Sequence, residues 1–263
     1  MFLRRNDRRI ILIDELRGLC ILLMVVYHAF FNLVFIFGVN IPAFHAPFLQ
    51  RFLQPLVAGT FVMISGIVSR YSRSSLKRGI LVFLCGMAVT AVTAFFMPEQ
   101  IIIFGILHLL GLCMIVQGII SKSAGVTRPD RLPALPGAMM FLAVFFAAYN
   151  LPRGYLGFEG TAFHIMLPET LYTNIWLSPI GFPAVGFVSV DYFPIIPWIF
   201  LFFAGSCLGA MFQSGRAPEF FYKKRIRFLS ATGRHTLIIY LLHQPILYGL
   251  FWAVWRLKDI IGI

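Results

Sequence analysis

The sequence has few charged residues, and acidic ones are especially scarce. Charged residues make up 12% of the 263, whereas a soluble domain carries about 25%. Ten acidic residues stand against 22 basic ones, and 59% of the chain is hydrophobic. This composition argues against a soluble core and predicts a polytopic membrane protein embedded in a lipid bilayer.

Cysteine is also scarce. The four cysteines all fall inside apolar segments, at Cys20, Cys85, Cys113 and Cys207. None belongs to a Cys-x-x-Cys pair, so we predict neither a disulfide framework nor a thiolate metal site and interpret them as packing residues. The histidines lack metal-ligand spacing and no glycine-rich phosphate loop is present, so no metal is predicted.

The formal net charge of +12 suggests nucleic acid by its magnitude alone. However, the basic residues form short clusters between apolar spans, which is the positive-inside pattern of membrane proteins. No separate basic domain is left to hold a duplex, so nucleic acid is not predicted as a partner. The basic start of the chain precedes an apolar run without a small-residue cleavage site, and we expect an uncleaved first span.

Seven apolar segments are each about 18–24 residues long, enough to cross a hydrocarbon core of roughly 30 Å. They are predicted at 14–37, 52–70, 78–97, 101–121, 133–150, 192–212 and 233–255. The fold class is therefore an all-α transmembrane helical bundle, expected as a single domain over 1–263. The apolar stretch 175–190 is short and contains Pro179 and Pro183, so we assign it to a long outer segment, 151–191, folded over the bundle mouth or dipping into the interface.

The basic residues also predict the orientation. With a cytoplasmic N-terminus, 17 cations lie inside and four outside, the asymmetry that the positive-inside rule describes. The inside set is Arg4, Arg5, Arg8, Arg9, Arg70, Arg73, Lys77, Arg78, Lys122, Arg128, Arg131, Arg216, Lys223, Lys224, Arg225, Arg227 and Arg234. The outside set is Arg51, Arg153, Arg256 and Lys258. We therefore predict a multi-pass protein of the cell membrane.

Arg17 and His28 lie eleven residues apart on the first predicted span. Eleven steps of an α-helix return to within about 20° of the starting direction and rise by roughly 16 Å. The two side chains therefore share one helix face, one at the membrane surface and one near mid-depth. Both groups are costly in lipid, which favours a functional site.

Other charged residues stand at the ends of spans. Asp14 and Glu15 open the first span, and Asp14 lies three residues before Arg17, so these two can pair on one side of the helix. Asp191 stands just before the sixth span, where its simplest role is that of a helix N-cap.

Two further histidines interrupt apolar spans, His108 in the fourth and His243 in the seventh. Together with His28 they indicate a polar bundle interior, because even a neutral imidazole needs partners in lipid. Gly205 and Gly209, four residues apart, predict close helix packing.

Five short segments, in order along the hydropathy profile, carry a resemblance to a known family. They are 14–24 (DELRGLCILLM), 61–66 (FVMISG), 104–111 (FGILHLLG), 191–198 (DYFPIIPW) and 233–245 (GRHTLIIYLLHQP). Over nearly its whole length the chain resembles the membrane acyltransferases related to heparan-α-glucosaminide N-acetyltransferase. The last two segments are most similar to the bacterial branch.

The resemblance implies a bundle in which cytoplasmic acetyl-CoA, as co-substrate, delivers its acetyl group to an acceptor at the opposite face. It nominates His45, which stands 21 residues before Gly66, as the family's functional histidine stands before the matching glycine. The lysosomal enzyme has an Asn at the position of His28. The broader acyltransferase family 3 has an Arg and, eleven residues on, a His in its first helix, and Arg17 and His28 are similar to that pair.

We therefore expect acetyl transfer to an amine or hydroxyl of a sugar or glycoconjugate acceptor. A neutral histidine would be the general base, with His45 as first candidate and His28 as second, and an acetyl-histidine intermediate stays an alternative. Asp191 is a candidate for orienting a histidine or binding the acceptor amine. The candidates for holding CoA are Arg17, Lys77, Arg78, His108, Arg234 and His243.

Two other classes of function stay open. A transporter or flippase for a glycan or lipid precursor predicts transport without dependence on CoA, although the sequence shows no internal repeat of the kind many transporters have. A non-catalytic scaffold predicts that the Arg17–His28 pair and His45 can be replaced together without consequence. The sequence leaves open the acceptor, N- versus O-acetylation, and the oligomeric state, a homodimer included.

Overall fold

The computed structural model describes residues 10–70, 72, 74–123, 134–213 and 218–261. Within these ranges the helices are α1 (Ile11–Phe31), α2 (Gln54–Ser69), α3 (Ser75–Phe96), α4 (Ile106–Ser123), α5 (Ala134–Ala147), α6 (Ile195–Gln213), α7 (Arg227–Thr232) and α8 (Thr236–Ile261). Strands β1 (Tyr155–Gly157) and β2 (His164–Met166) pair antiparallel. Eight of the predicted cytoplasmic cations lie outside the described residues: Arg4, Arg5, Arg8, Arg9, Arg73, Arg128, Arg131 and Arg216.

An apolar helix is found at each of the seven predicted spans. Six are long enough to cross a membrane: Ile11–Ile36, Leu49–Ser69, Ser75–Phe96, Ala134–Arg153, Ile195–Phe212 and Thr236–Leu257. The fourth predicted span is a shorter apolar helix, Ile106–Lys122. The chain is therefore a polytopic helical membrane protein, as predicted.

The fourth helix begins five residues later than predicted. The residues before it, 101–105, form hydrogen bonds with residues 189–193 instead of continuing the helix. The amide of Val190 donates to the carbonyl of Ile101, and that of Phe193 donates to the carbonyl of Phe104. The amide of Ile103 donates to the Ser189 hydroxyl. These backbone groups are thus satisfied outside a helix, and the helix starts only at Ile106.

The long helices expose apolar side chains in stripes of the kind that face lipid in membrane proteins. On α8 the exposed residues recur every three or four positions: Ile238, Leu242, Ile246, Leu250, Val254 and Leu257. This is the spacing of one helix face. An apolar strip of this extent facing water would be unusual for a soluble protein, which agrees with a bilayer environment.

The described chain forms two compact units. The terminal unit holds residues 10–61 and 218–261, and the central unit holds residues 62–213. In the terminal unit α1 packs on α7 and α8. Two glycines allow this approach: a Cβ at Gly18 would overlap the carbonyl oxygen of Leu229, and one at Gly233 would overlap that of Asp14.

In the central unit, α3 and α4 pack through glycines spaced seven residues apart, Gly79 and Gly86 on α3 and Gly111 and Gly118 on α4. A Cβ at each would lie 2.5–3.0 Å from atoms of the partner helix. The close packing predicted for Gly205 and Gly209 is confirmed, because on α6 they meet the backbone of Met63 and Ile67. Among the described residues none of the four cysteines forms a disulfide, and Cys20 and Cys113 are buried in the packing between helices.

The outer segment, residues 151–191, contains no long helix. It consists of the β1–β2 hairpin, short 3-10 turns and loops, so the stretch 175–190 is not a span. Two tyrosines anchor it: the hydroxyl of Tyr172 donates to the carbonyl of Leu151, and that of Tyr192, the residue that follows the segment, donates to the carbonyl of Ser178. Burial raises the pKa of both phenols above the usual range, and for Tyr192 the nearby Tyr172 raises it further.

Candidate functional site

Arg17 connects the start of α1 to the segment before α8. Its Nε donates to the carbonyl of Gly233, and its terminal nitrogen lies 3.1 Å from the Asp14 carboxylate. The Asp14–Arg17 pair predicted from the three-residue spacing is thereby confirmed. Arg17 is only 16% exposed, and its guanidinium stabilises the contact between α1 and the segment before α8.

Glu15 has partners that sequence spacing could not show. Its carboxylate accepts hydrogen bonds from the backbone amides of Arg225 and Ile226, both at 2.8 Å. The side chain is buried, and an ionised acceptor makes such bonds stronger than neutral ones. Glu15 therefore attaches the chain just before α7 to the first turns of α1.

His28 and His243 form a pair of imidazoles between α1 and α8. Their ring centroids are 4.9 Å apart, with the planes at 66°. His28 Nδ1 contacts the carbonyl of Met24 at 2.9 Å, and His243 Nδ1 contacts the carbonyl of Tyr240. Because a carbonyl only accepts, each contact makes Nδ1 the donor, and in the neutral ring the lone pair then lies on Nε2.

Asn32 and Gln244 extend this pair into a polar cluster, which we call the α1–α8 cluster: His28, Asn32, His243 and Gln244. Asn32 Nδ2 donates to Gln244 Oε1 at 2.9 Å. Two buried acceptors of the cluster, Asn32 Oδ1 and His243 Nε2, have no hydrogen-bond partner among the described residues. A buried acceptor is costly unless it is paired, so the cluster suits a ligand that donates hydrogen bonds.

Sequence reasoning missed Asn32 and Gln244, although a signal was present. Each is a polar residue within one turn of a histidine in an apolar helix, and such residues in lipid mark a polar interior. The common face predicted for Arg17 and His28 agrees with the structure. Both side chains contact residues between 233 and 243 of the same packed segment.

His45 stands apart from the cluster. It ends the 3-10 turn Pro42–His45 in the first outer loop and is exposed. Its ring contacts Phe35 and Phe44 at 6.0 and 6.3 Å between centroids. Phe44 contacts Tyr27, which in turn contacts His28. A chain of aromatic rings, rather than a hydrogen bond, thus links the two candidate histidines.

His108 is buried in the central unit. Phe83 and Phe104 flank its ring, and Nε2 lies 3.5 Å from the Thr90 hydroxyl. The Cα of Gly86 faces the ring closely enough that a Cβ there would lie 3.0 Å from Nδ1. These contacts give His108 a packing role at the α3–α4 contact, and its predicted part in holding CoA stays a prediction.

Asp191 caps α4 rather than the sixth span, for which the sequence predicted it as N-cap. Its Oδ2 accepts from the amide of Ile106 at 3.2 Å, which is the N-terminus of α4, whereas α6 begins only at Ile195. Gly105 permits the approach, since a Cβ there would lie 2.6 Å from that oxygen. The carboxylate is favourable at this positive helix end. Its role toward a histidine or an acceptor amine stays a prediction.

The remaining candidates are exposed cations at helix starts. Lys77 and Arg78 lie in the first turn of α3, and Arg234 lies just before α8. None of these three side chains forms an ion pair with a residue that the structure describes. Cations at a helix N-terminus are repelled by the positive end of the helix dipole. A bound anion would offset this repulsion at Lys77 and Arg78.

One comparison with known proteins identifies the chain. A family model described as heparan-alpha-glucosaminide N-acetyltransferase, catalytic, matches residues 9–245. Comparisons with curated proteins and with solved structures gave no match. The matched range includes the α1–α8 cluster and every candidate site residue. The chain therefore belongs to the heparan-alpha-glucosaminide N-acetyltransferase catalytic family, an acetyltransferase family, as its five motifs predicted.

Proposed function

We propose that this protein transfers an acetyl group from cytoplasmic acetyl-CoA to an amine or hydroxyl of a sugar-like acceptor at the outer face of the cell membrane. The whole chain would work as one acyltransferase domain. The observation that carries the proposal is the His28–His243 pair with both ring protons assigned to Nδ1. A neutral imidazole with its Nε2 lone pair inside a membrane helix would suit a general base in an acetyltransferase family, which supports the proposal.

In the proposed reaction the acceptor nitrogen or oxygen attacks the thioester carbonyl carbon of acetyl-CoA. His28 Nε2 takes the proton of the attacking group as the new bond forms. The carbon–sulfur bond then breaks, and the CoA sulfur leaves and receives the proton. The Met24 carbonyl, which accepts from Nδ1, favours the imidazolium that forms in between.

The orphaned acceptors of the cluster support the presence of a hydrogen-bond donor there. Asn32 Oδ1 and His243 Nε2 would receive N–H or O–H groups, which an amino sugar or the amide-bearing arm of CoA can supply. For the phosphates of CoA, the exposed Lys77, Arg78 and Arg234 are better candidates than Arg17. The guanidinium of Arg17 is already bonded to Gly233 and Asp14.

His45 would bind the acceptor, a role distinct from that of His28 as general base. Its exposure in the first outer loop suits contact with an acceptor arriving from outside. Asp191 and the exposed Trp176 lie in or beside the outer segment, and they are further candidates for acceptor contact. Direct transfer and an acetyl-histidine intermediate predict different products when acceptor is omitted, since only the second leaves labelled protein.

The test uses the purified chain in detergent with acetyl-labelled CoA and a panel of amino sugars. We expect CoA-dependent labelling of an acceptor by the wild-type chain. His28→Ala should lower the rate by about 10²–10⁴-fold, the usual contribution of a general base. His45→Ala should raise the acceptor KM and leave kcat less affected.

His235→Ala is the matched control, because it removes an exposed imidazole just before α8. It should retain the wild-type rate. Full activity of a folded His28→Ala together with loss in His45→Ala would reassign the base to His45. Uptake of a glycan or lipid precursor by reconstituted protein, without any CoA dependence, would instead support the transporter class.

A further inference from the structure

We propose that residues 219–228, with the sequence EFFYKKRIRF, bind the headgroups of anionic phospholipids. We call these residues the basic segment. It carries four exposed cations, Lys223, Lys224, Arg225 and Arg227, and one acidic residue, Glu219. Within the part of the chain that the structure describes, Lys223, Lys224 and Arg227 have no acidic partner. Their charge is therefore available to an external anion.

Exposed apolar side chains alternate with these cations. Phe228 is 65% exposed, Ile226 is 50% exposed and Phe220 is 45% exposed. The guanidinium of Arg225 lies over the Phe220 ring at 5.9 Å, so the cationic and aromatic groups share one surface. A soluble anion would leave these apolar groups in water, whereas a lipid surface takes the phosphate contacts and the apolar contacts together.

The structure also connects the basic segment to the first turns of a candidate membrane span. The Glu15 carboxylate binds the amides of Arg225 and Ile226. Glu15 lies in the first turns of Ile11–Ile36, a helix long and apolar enough to cross a membrane. The basic segment is therefore held beside the end of this helix, where headgroups are expected for a spanning helix, on the cytoplasmic side in the predicted orientation.

The expected strength follows from the number of cations. Each Lys or Arg close to an anionic membrane surface increases binding by about fivefold. The interaction should weaken as salt is added, because exposed charges are screened within about 10 Å at moderate ionic strength. Neither property depends on acetyl transfer, so the proposal stands or falls separately from the proposed function.

The experiment measures binding of fluorescent phosphatidylglycerol and fluorescent phosphatidylcholine to the full chain in neutral detergent. The wild-type chain should bind phosphatidylglycerol more tightly than phosphatidylcholine, and this preference should fall with added salt. The variant K223Q/K224Q/R227Q should weaken phosphatidylglycerol binding by about tenfold or more. Its affinity for phosphatidylcholine should not change.

The control variant R51Q/K122Q/R256Q removes the same charge at three other exposed positions. It should retain the lipid preference. Equal loss in both variants would show a general charge effect and overturn the proposal, as would an unchanged preference in K223Q/K224Q/R227Q. Displacement of the lipid by inorganic phosphate at constant ionic strength would reassign the segment to soluble anions. The lipid preference of the wild-type chain is itself a test that needs no substitution.

Discussion

His28 on α1 and His243 on α8 come from opposite ends of the chain, yet their imidazole centroids lie 4.9 Å apart. Each ring is oriented by a backbone carbonyl of its own helix, Met24 for one and Tyr240 for the other. The contact brings two titratable groups together within a matched acetyltransferase family region. The proposed chemistry depends on this pair.

Substitutions at Asn32 and Gln244, which are hydrogen-bonded to each other, should distinguish an effect on ligand binding from an effect on stability. Asn32→Ala should destabilise the protein by about 1–3 kcal/mol, because it leaves Gln244 Oε1 unpaired in a partly buried position. The double change N32L/Q244L removes both partners and should cost less. If the cluster binds a hydrogen-bond donor, both variants should lose affinity for it. We expect thermal unfolding to distinguish the variants while KM rises in each.

Arg17 should not be replaceable by lysine. An ammonium group cannot reproduce the fork that contacts both Gly233 and Asp14. Arg17→Lys should therefore lower stability by about 1–3 kcal/mol, measured by unfolding in detergent. Lys77→Arg, at an exposed position, is the control and should be neutral. Unchanged stability of Arg17→Lys would mean that the contact with Gly233 contributes nothing.

Gly18 and Gly249 offer a matched pair of helix glycines. A Cβ at Gly18 would overlap the Leu229 carbonyl oxygen, whereas one at Gly249 would meet nothing within 4 Å. Gly18→Ala should destabilise by about 1–3 kcal/mol through overpacking, and Gly249→Ala should be neutral or stabilise by up to about 1 kcal/mol. Equal midpoints of thermal unfolding for the two variants would contradict the close α1–α7 packing.

Tyr192 should make the outer segment sensitive to high pH. Burial raises the pKa of its phenol above the ordinary value, which is about 10. A raised pKa in the folded state favours the protonated form, so this stabilisation is complete below about pH 10 and is lost as the pH rises further. Thermal unfolding between neutral and alkaline pH should show the decline. Tyr192→Phe should weaken it, whereas Tyr248→Phe, on the exposed face of α8, should retain it.

Features that depend on nearby residues could be predicted from the sequence. The apolar runs predicted the seven long apolar helices, and the three-residue spacing predicted the Asp14–Arg17 pair. The four-residue spacing predicted the close packing of Gly205 and Gly209 against another helix. The prolines within 175–190 correctly excluded an eighth span. Each of these follows from helix geometry or local backbone preference.

Features that depend on residues far apart in the sequence could not be predicted from it. Glu15 binds the amides of Arg225 and Ile226, and His28 contacts His243. Asp191 caps α4 at Ile106, 85 residues earlier in the sequence. Hydropathy reveals that a helix is buried or spanning, but it does not say which helix lies beside it. For the same reason the sequence nominated His45 first and His28 second without showing the surroundings of either, which only the fold distinguishes.

The rate of acetyl transfer in a double-mutant cycle of His28 and His243 tests the central claim most directly. The four proteins are the wild type, His28→Ala, His243→Ala and the double variant, all assayed with labelled acetyl-CoA after their folding is checked. If the two imidazoles act as one unit, each single change should lower the rate by at least about a hundredfold, and the double change should add little more. A wild-type rate in folded His28→Ala, or losses that multiply in the double variant, would contradict the account.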